Sequence, residues 1–514
     1  MSLIIRVLLV ALILVSSSRA ANYVVVRYAD SGPGTLRQAI LNANTRGGGT
    51  ITFSNVTGTI NLVSPLPVLT ANITILGPGL SELAIACSNC FTPSLLTNSA
   101  DNVATLSGLT IRANLDNFGT FVVLDSLLQS RMNPGHAAVY NSGTMTLSGC
   151  TFTGNFVPFN ADSIENAGTM NLDNCSVINN RSDGGSILNR GTLIMDKSVV
   201  SGHSYFTSSS GGIVNDGGIV QLRDCTVSNN ISVEGGGVWN GGFLAVTNCT
   251  INGNVATYSD PTTIGGGIYN IGYAILQNTT LSGNSAQGAG GGVWNGGVLR
   301  FLNCTITSNT VSSGLGGGVW NSTNEVTIFQ SRNSIVAGNS SHNGSCSSCT
   351  DDIRGFFETF GHNIILSSNG WTRVGFDNSD LIGVNPKLGP LQNNGGPTRT
   401  HALLPGSPAI DAGDPVGAPS EDERGVPRPQ GPGVDIGAFE YQYPVFTFVQ
   451  VQSKTNLLLK ASVSPSTSYA LQASQDLISW NNIATLNSTS NGVLQVTNFI
   501  VGPKRFFRLK SQTP

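Results

Sequence analysis

The chain has 514 residues, of which 63 are Gly and 51 are Asn; Lys, Arg, Asp and Glu together make up 10%, and the formal net charge is −3. An apolar content of 39% excludes a charged disordered chain. The scarcity of Lys and Arg argues against a nucleic-acid partner, and the excess of Gly and Asn disfavours long helices. A β protein with many turns remains.

Residues 1–20 have the pattern of a signal peptide. Arg6 precedes an apolar run from Val7 to Val15, and Ser18-Arg19-Ala20 offers a cleavage site between small residues. The run is too short to span a bilayer, and no other stretch reaches about 18 apolar residues. We therefore expect a secreted or cell-surface protein with no membrane span in the mature chain.

Residues 21–48 predict an N-terminal strand and a capping helix. The helix is expected over residues 35–44, with Thr35 as N-cap and with Leu36, Ala39 and Ile40 on one face. Such a helix would close the open end of a solenoid.

A repeat of about 25 residues follows. Eight units align on a leading Asn, usually in Asn-x-Gly, at Asn141, Asn166, Asn189, Asn215, Asn240, Asn270, Asn295 and Asn321. A slot for a small residue comes next, occupied by Cys150, Cys175, Ser198, Cys225, Cys249, Thr279, Cys304 and Ser334. A second Asn position follows five residues later, where His203 replaces Asn in one unit. Weaker units extend back to residue 49, through runs such as Ile73 to Leu76.

This period, with three short β-like runs between turn residues, predicts an all-β fold. We expect a right-handed parallel β-helix over residues 49–380. Equivalent residues would form columns: inward small residues, and two ladders of Asn amides bonded from coil to coil. His203 would then be a packed, hydrogen-bonded imidazole.

An aromatic column precedes the first Asn ladder. Its members are Trp239, Tyr269, Trp294 and Trp320, which include three of the five Trp in the chain. If Val238 and Asn240 point inward, strand alternation turns Trp239 outward. We predict a ligand-binding platform for sugar rings here. The alternative is that Gly-rich turns cover the rings, or that the rings stack on one another for stability.

The nine Cys divide into two groups. Five occupy the small slot, so we expect free, buried thiols that act as small apolar fillers. Cys87/Cys90 and Cys346/Cys349 form Cys-x-x-Cys pairs, for which local disulfides or unpaired thiols are favoured over zinc. We predict no metal and no cofactor; calcium at Asp351-Asp352 or at Asp377 to Asp380 is less favoured than solvated turns.

Catalytic carboxylates are scarce in the regular repeat, with no aligned pair in the best-aligned coils. The nearest approach to a catalytic cluster is Asp351, Asp352, Arg354 and His362, with Arg373 nearby in sequence. These residues are the candidates if the chain is a polysaccharide lyase or glycoside hydrolase.

Residues 381–444 are expected to form an end block and a Pro-rich linker. Residues 445–514 predict a separate β-sandwich-like module with short alternating strands.

Three blocks resemble known exported bacterial proteins. Asp30-Ser-Gly-Pro-Gly-Thr-Leu-Arg-Gln-Ala-Ile-Leu-Asn-Ala-Asn44 resembles the start of right-handed β-helix proteins. The Gly-Gly-Gly-Val-Trp-Asn and Cys-Thr-Ile-x-Gly-Asn units resemble repeats of the polymorphic outer membrane protein family. Asn385 to His401, with Leu404-Pro-Gly-Ser-Pro-Ala-Ile-Asp-Ala-Gly413, resembles the C-terminal block of choice-of-anchor proteins. The resemblance implies a β-helix and leaves the function open.

Two functions fit these observations. The favoured one is an exported, non-enzymatic β-helix protein that is adhesive or binds carbohydrate, with a polysaccharide or cell-surface glycan as partner and a monomer as the expected state. The alternative is a pectate-lyase-like polysaccharide lyase or glycoside hydrolase.

Overall fold

The computed structural model describes most of the chain from residue 21 onward. The described residues are 21–87, 90, 94–129, 137–157, 163–182, 185–204, 211–257, 263–323, 327–342, 349–367, 369–374, 377–451, 456–463, 468–474, 477–489, 492–499 and 506–511. The predicted signal peptide and Cys346 lie outside them. The chain divides into two compact units, residues 1–176 and 177–514.

Both units contain the stacked coils that the repeat predicted, and the predicted fold class is confirmed as a right-handed parallel β-helix followed by a small β module. Each regular coil carries one strand on each of three faces. In the order in which the chain passes through them, we name these faces C, A and B. In one coil these are Val238–Asn240, Phe243–Thr247 and Thr250–Asn252. Strands pair in parallel with their equivalents in the next coil.

In unit 1 the strands are grouped by face. Face A holds Asn22–Val25, Gly48–Phe53, Asn72–Leu76, Val103–Ser107, Thr120–Leu124, Thr144–Ser148 and Thr169–Asp173. Face B holds Gly58–Leu62, Leu83–Cys87, Thr110–Arg112, Leu127–Leu128 and Thr151–Thr153. Face C holds Leu96–Asn98, Leu115–Asn117, Val139–Asn141 and Ile164–Asn166, and Phe156–Val157 is a further short strand.

Unit 2 has the same three kinds of face. Face C holds Ile187–Asn189, Ile213–Asn215, Val238–Asn240, Ile268–Asn270, Val293–Asn295 and Val319–Asn321. Face A holds Thr192–Asp196, Ile219–Arg223, Phe243–Thr247, Tyr273–Gln277, Val298–Leu302, Ile328–Arg332, Ile353–Thr359 and Trp371–Val374. Face B holds Val199–Ser201, Thr226–Ser228, Thr250–Asn252, Thr280–Ser282, Thr305–Thr307, Ile335–Ala337, Ile364–Ile365 and Leu381–Ile382.

Short strands complete the coils. Six of them form one sheet after face B: Ile231–Ser232, Val255–Ala256, Ser285–Ala286, Thr310–Val311, Ser340–Ser341 and Cys349–Thr350. Ser176–Ile178 lies at the boundary of the two units, and Arg181–Ser182 follows it.

The predicted capping helix is confirmed in unit 1. It spans Leu36–Thr45, and the Thr35 hydroxyl accepts a hydrogen bond from the Gln38 backbone N–H at 3.3 Å. Leu36, Ala39 and Ile40 are buried, as their spacing requires. The helix therefore covers the first strands of this unit with its apolar face.

Alternation along each strand builds the core. Leu244 and Val246 on face A and Ile251 on face B point inward and are fully or almost fully buried. The small-slot residues form a buried column beside them, and the five repeat Cys are free and buried, as predicted.

The two predicted Asn ladders are present. In unit 2, five successive first-position side chains each donate from Nδ2 to Oδ1 of the next, at 2.6–3.0 Å, from Asn189 to Asn321. Unit 1 has the same arrangement from Asn98 to Asn166. The second ladder runs from Asn230 to Asn339 at 2.9 Å per step. These bonds satisfy amides that burial would otherwise penalise.

A third Asn ladder was not predicted. It lies just before the small slot, where Asn248, Asn278, Asn303 and Asn333 have φ of 44° to 54°. Asn tolerates this left-handed conformation better than most residues. Asn278 Nδ2 donates to Asn248 Oδ1, and Asn333 Nδ2 donates to Asn303 Oδ1.

The end block packs along the outer side of face B. The Nδ2 atoms of Asn278, Asn303 and Asn333 also donate to backbone carbonyls of the end block, at Glu421, Asp435 and Asp414. An apolar cluster joins Ile335 and Ile364 of face B to Ala409, Ile436 and Phe439 of the end block. Leu388–Gln392 and Thr400–Leu403 form its antiparallel hairpin.

The C-terminal module consists of two three-stranded antiparallel sheets. One contains Val445–Val451, Asn456–Ser462 and Val493–Phe499; the other contains Ser468–Ser474, Asn481–Asn487 and Phe506–Ser511. Tyr469 and Leu471 are among its buried residues.

Candidate ligand-binding site

The predicted aromatic column is aligned in register on face C. Val214 pairs with Trp239, Trp239 with Tyr269, Tyr269 with Trp294, and Trp294 with Trp320. Val238 and Asn240 are fully buried, so the ring between them points away from the core. The four rings are half-buried.

The rings also stack on one another. Trp239 and Tyr269 have centroids 5.9 Å apart and an interplanar angle of 21°; Tyr269 and Trp294 are 4.7 Å and 9° apart. Stacking occupies the ring faces and leaves the ring edges toward solvent. The rings therefore point outward, as predicted, and they also stack on one another, which was the alternative to a sugar platform.

Glycine in the following turn makes room for the indoles. A Cβ atom built on Gly241 would lie 2.8 Å from ring atoms of Trp239, and one on Gly296 would lie 2.7 Å from those of Trp294. Any larger residue would push the ring outward. The Trp-Asn-Gly sequence therefore fixes the indoles of Trp239 and Trp294 against the turn between faces C and A.

Glu234 belongs to this site, although sequence reasoning did not single it out. Burial raises the pKa of its carboxyl group, and a hydrogen bond from the Trp239 side chain partly offsets that shift. Its charge also helps to raise the pKa of Tyr269, whose shift is due first to burial. One signal in the sequence points to it: Glu234 lies five residues before Trp239, at the entry to the Gly-rich turn.

A second apolar column borders the first across that turn. Phe243 and Tyr273 open successive face A strands, and their rings are stacked 5.7 Å apart at 14°. Arg300 lies over the Tyr273 ring at 5.4 Å and donates from Nε to Gln330 Oε1 at 2.7 Å. In the same column Phe243 is 36% exposed, Ile219 42% and Ile328 39%.

We name these residues together the aromatic corner: Trp239, Tyr269, Trp294, Trp320, Phe243, Tyr273 and Glu234. A contiguous, partly exposed stripe of apolar and aromatic groups with polar partners is typical of an interaction surface.

The acidic cluster is built into the fold. Asp352 is fully buried, and its Oδ1 accepts hydrogen bonds from Asn339 Nδ2 at 2.9 Å and from the Asn339 backbone at 3.0 Å. Its Oδ2 accepts from the Ser367 backbone N–H at 2.7 Å. Asp352 therefore ends the second ladder, and burial raises its pKa to about 6.

Asp351 is equally enclosed. Its Oδ1 pairs with Arg354 Nε at 2.9 Å, and its Oδ2 accepts from the Gly316 backbone at 2.7 Å. The expectation that Asp351 and Asp352 lie in a solvated turn is wrong, because this turn carries the last ladder position and is 1% or less exposed at both residues.

His362 makes its contacts elsewhere. Its Nδ1 lies 2.8 Å from the carbonyl oxygen of Ala412 in the end block, and its backbone N–H donates to Ser379 Oγ. Arg373 lies 3.5 Å from Asp380. Of the four catalytic candidates, Asp351 and Arg354 thus pair with each other, whereas Asp352 and His362 have partners of their own, and each of these contacts suits a structural role.

His203 is a packed imidazole, as predicted. It is 3% exposed; Nδ1 lies 3.1 Å from the Asn180 backbone N–H and Nε2 lies 2.9 Å from the Val177 carbonyl oxygen. Desolvation lowers its pKa to about 4. His401 is also buried, and its Nε2 lies 2.8 Å from Ser282 Oγ.

The small-slot thiols do more than fill space. Cys249 Sγ accepts from the Cys225 backbone N–H at 3.3 Å and donates to the Thr247 carbonyl at 3.1 Å. A hydroxyl can make the same pair of bonds, which explains why Ser and Thr share this column. Burial raises the pKa of Cys304 to about 12. Cys87 and Cys90 form a disulfide, and Cys349 is disulfide-bonded.

In the described ranges, no group of three or more His, Cys, Asp or Glu is placed to hold a metal ion. No helix there has the length and apolarity needed to cross a membrane.

Comparisons with known proteins give architectural likeness. No protein-family model matches the sequence, and no curated protein is similar to it. The A-module of the mannuronan C-5 epimerase AlgE6 from Azotobacter vinelandii matches with a TM-score of 0.35 and 13% identity, over 70% of this chain and 98% of that one. The PL6 family alginate lyase AlyGC matches at 0.33 and 10%, over 74% and 55%.

A phage protein is similar at the same level. The tailspike of Escherichia coli bacteriophage HK620, solved with a pentasaccharide, matches with a TM-score of 0.28 and 15% identity, over 94% of this chain and 90% of that one. Likenesses this distant do not bear on the activity of this chain.

Proposed function

We propose that this chain is an exported, non-enzymatic β-helix protein that binds polysaccharide at the aromatic corner. The observation that carries the proposal is the in-register stack Trp239, Tyr269 and Trp294, half-buried on an outward face beside the Glu234 carboxylate. The ring edges left exposed by the stack, together with the carboxylate, suit sugars, whose apolar C–H groups can pack on those edges and whose hydroxyls can donate to the carboxylate.

The repeat makes the surface suitable for a polymer. Each coil presents equivalent groups one strand spacing further along the axis, about 4.8 Å. A chain of sugar residues laid along the corner would meet similar contacts at each step. Individual contacts need not be strong, because several adjacent ones act together.

The enzymatic alternative gains no support from the contacts. Asp351 and Asp352 are buried with their oxygens bonded to backbone, Asn339 and Arg354. A general acid and its partner carboxylate would have to face a substrate.

Affinity electrophoresis through gels containing neutral and acidic polysaccharides tests the proposal. We expect at least one polysaccharide to retard the mature chain, and Trp239→Ala and Trp294→Ala to weaken retardation tenfold or more. Trp480→Ala in the C-terminal module is the matched control. Equal retardation of all variants, with unchanged unfolding temperatures, would show that the aromatic corner does not bind the polysaccharide.

A further inference from the structure

A polar cleft lies where the end block stops on face B. Its volume is about 390 Å³, and the outer positions of two coils form its floor: Thr226, Ser228, Thr250 and Asn252. The end-block residues Asn393 to Arg399 provide its wall. The cleft is distinct from the aromatic corner, which lies on faces C and A.

The end block covers only part of face B. Further along the solenoid, Thr280 Oγ1 donates to Glu423 Oε2, and Ser282 is held by His401. Thr250 is the last covered position, since its hydroxyl bonds to the Arg399 carbonyl and to Glu423. Thr226 and Asn252 remain partly open. Hydroxyl and amide groups of face B are thus exposed beside the edge of the end block.

Hydrogen bonds and close packing hold the end-block wall of the cleft in place. Asn394 is buried and donates from Nδ2 to the Thr400 carbonyl at 2.8 Å. Thr398 Oγ1 donates to Glu423 Oε1 at 3.0 Å. Gly396 lies against Arg424, where an added Cβ would approach the backbone to 2.6 Å. A fixed wall reduces the ordering cost of binding.

Arg399 gives the cleft its charge. Its neighbours Thr398 and Thr400 are buried, whereas Arg399 is exposed. Among the described residues that line the cleft it is the only charged one. A guanidinium on a hydroxyl- and amide-lined floor favours a ligand that carries both hydroxyls and a carboxylate.

The geometry points to a second binding site, for an acidic saccharide of the uronate type, at Thr226, Asn252 and Arg399. This inference rests on the proposed function, that the chain binds polysaccharide, and adds a charge preference to it. The carboxylate pairs with Arg399, and the sugar hydroxyls bond to the floor. The cavity accommodates one or two sugar residues.

The test compares polygalacturonate with the same polymer after full methyl esterification, which removes the charge and keeps the sugar. We expect the mature chain to bind the acid form at least tenfold more tightly. Arg399→Gln and Asn252→Asp should each lose that preference, the second because it places a carboxylate in the cleft. Arg27→Gln, an exposed arginine in the other unit, is the control.

The outcomes separate the two claims. Preference lost in Arg399→Gln but kept in Trp239→Ala supports the cleft. Preference unchanged in both cleft variants, with binding lost in Trp239→Ala, overturns the cleft and leaves the aromatic corner standing. If wild type binds neutral polymers but not polygalacturonate, the cleft is again overturned and the proposed function survives. Binding to no polymer rejects both.

Discussion

At the scale of single residues, hydrogen bonding explains which side chains the columns accept. The small slot accepts Cys, Ser and Thr because each donates to the carbonyl two residues back, and Cys249 and Ser334 also accept from a backbone N–H of the neighbouring coil. Sequence reasoning predicted the burial of these thiols but treated them as fillers. Spacing shows which residues share a column, whereas bond partners depend on how adjacent coils align.

Replacing one thiol tests this role. We expect Cys249→Ser to change the free energy of unfolding by less than about 1 kcal/mol, because the hydroxyl keeps both bonds. Cys249→Ala should cost about 1–3 kcal/mol, because it leaves the Cys225 N–H unpaired and opens a small cavity. Urea unfolding measures both. If the two substitutions lower the free energy of unfolding equally, the side chains in the small slot only fill space.

His203 makes the stability of the fold depend on pH. Its pKa is about 4 in the folded chain and 6.5 in the unfolded chain, so protons bind preferentially to the unfolded chain below pH 6.5. The stability it contributes is intact above pH 6.5 and is lost as pH falls toward 4. At about 1.4 kcal/mol per pKa unit, the loss approaches about 3 kcal/mol.

The variant His203→Asn isolates that effect, since it places Asn in a ladder position and removes the titrating group. We expect wild type to lose stability relative to His203→Asn between pH 6.5 and 4, and the two to run parallel above pH 7. Parallel curves over the whole range would show that His203 is not protonated on unfolding.

At the scale of elements, the end block depends on one buried carboxyl group. Glu423 is fully buried, and its oxygens accept from Thr250, Thr280 and Thr398. Burial raises its pKa well above the usual value. Docking is therefore strongest when the group is neutral, and that contribution is lost as pH rises through the folded pKa.

Substitutions at Glu423 test how the end block is held. Gln keeps one acceptor oxygen, and the threonine hydroxyls can turn to accept from its amide, so Glu423→Gln should stay docked. Glu423→Ala removes the acceptor that the hydroxyls of Thr250, Thr280 and Thr398 share and leaves a cavity, and limited proteolysis should then cut the end block at least tenfold faster. Equal cleavage rates would place the anchoring in the apolar cluster around Phe439 instead.

The elements also show where prediction from sequence stops. The period, the helix with its Thr35 cap, the two ladders and the core strands follow from local patterns. The docking of the end block on face B does not, because it joins residues as distant as Thr250 and Arg399. Asp352 was assigned to a solvated turn because the sequence does not show that its carboxylate continues a column of amides.

At the scale of the whole molecule, the chain presents two outward surfaces of different chemistry. The aromatic corner was predicted as a column of four rings, but Glu234 was not, because it belongs to the preceding turn. A polar cleft at Arg399 requires two segments about 150 residues apart in sequence, which no local pattern reports. The abundant Gly and Asn residues form the turns and ladders that hold both surfaces in place.

Polysaccharide binding along the aromatic corner can be mapped by hydrogen–deuterium exchange with and without saturating polysaccharide. We predict slower exchange in the turns and strands at residues 234–243, 264–273 and 289–298, with no change in the C-terminal module. Protection confined to other coils, or none while the polymer is bound, would contradict it.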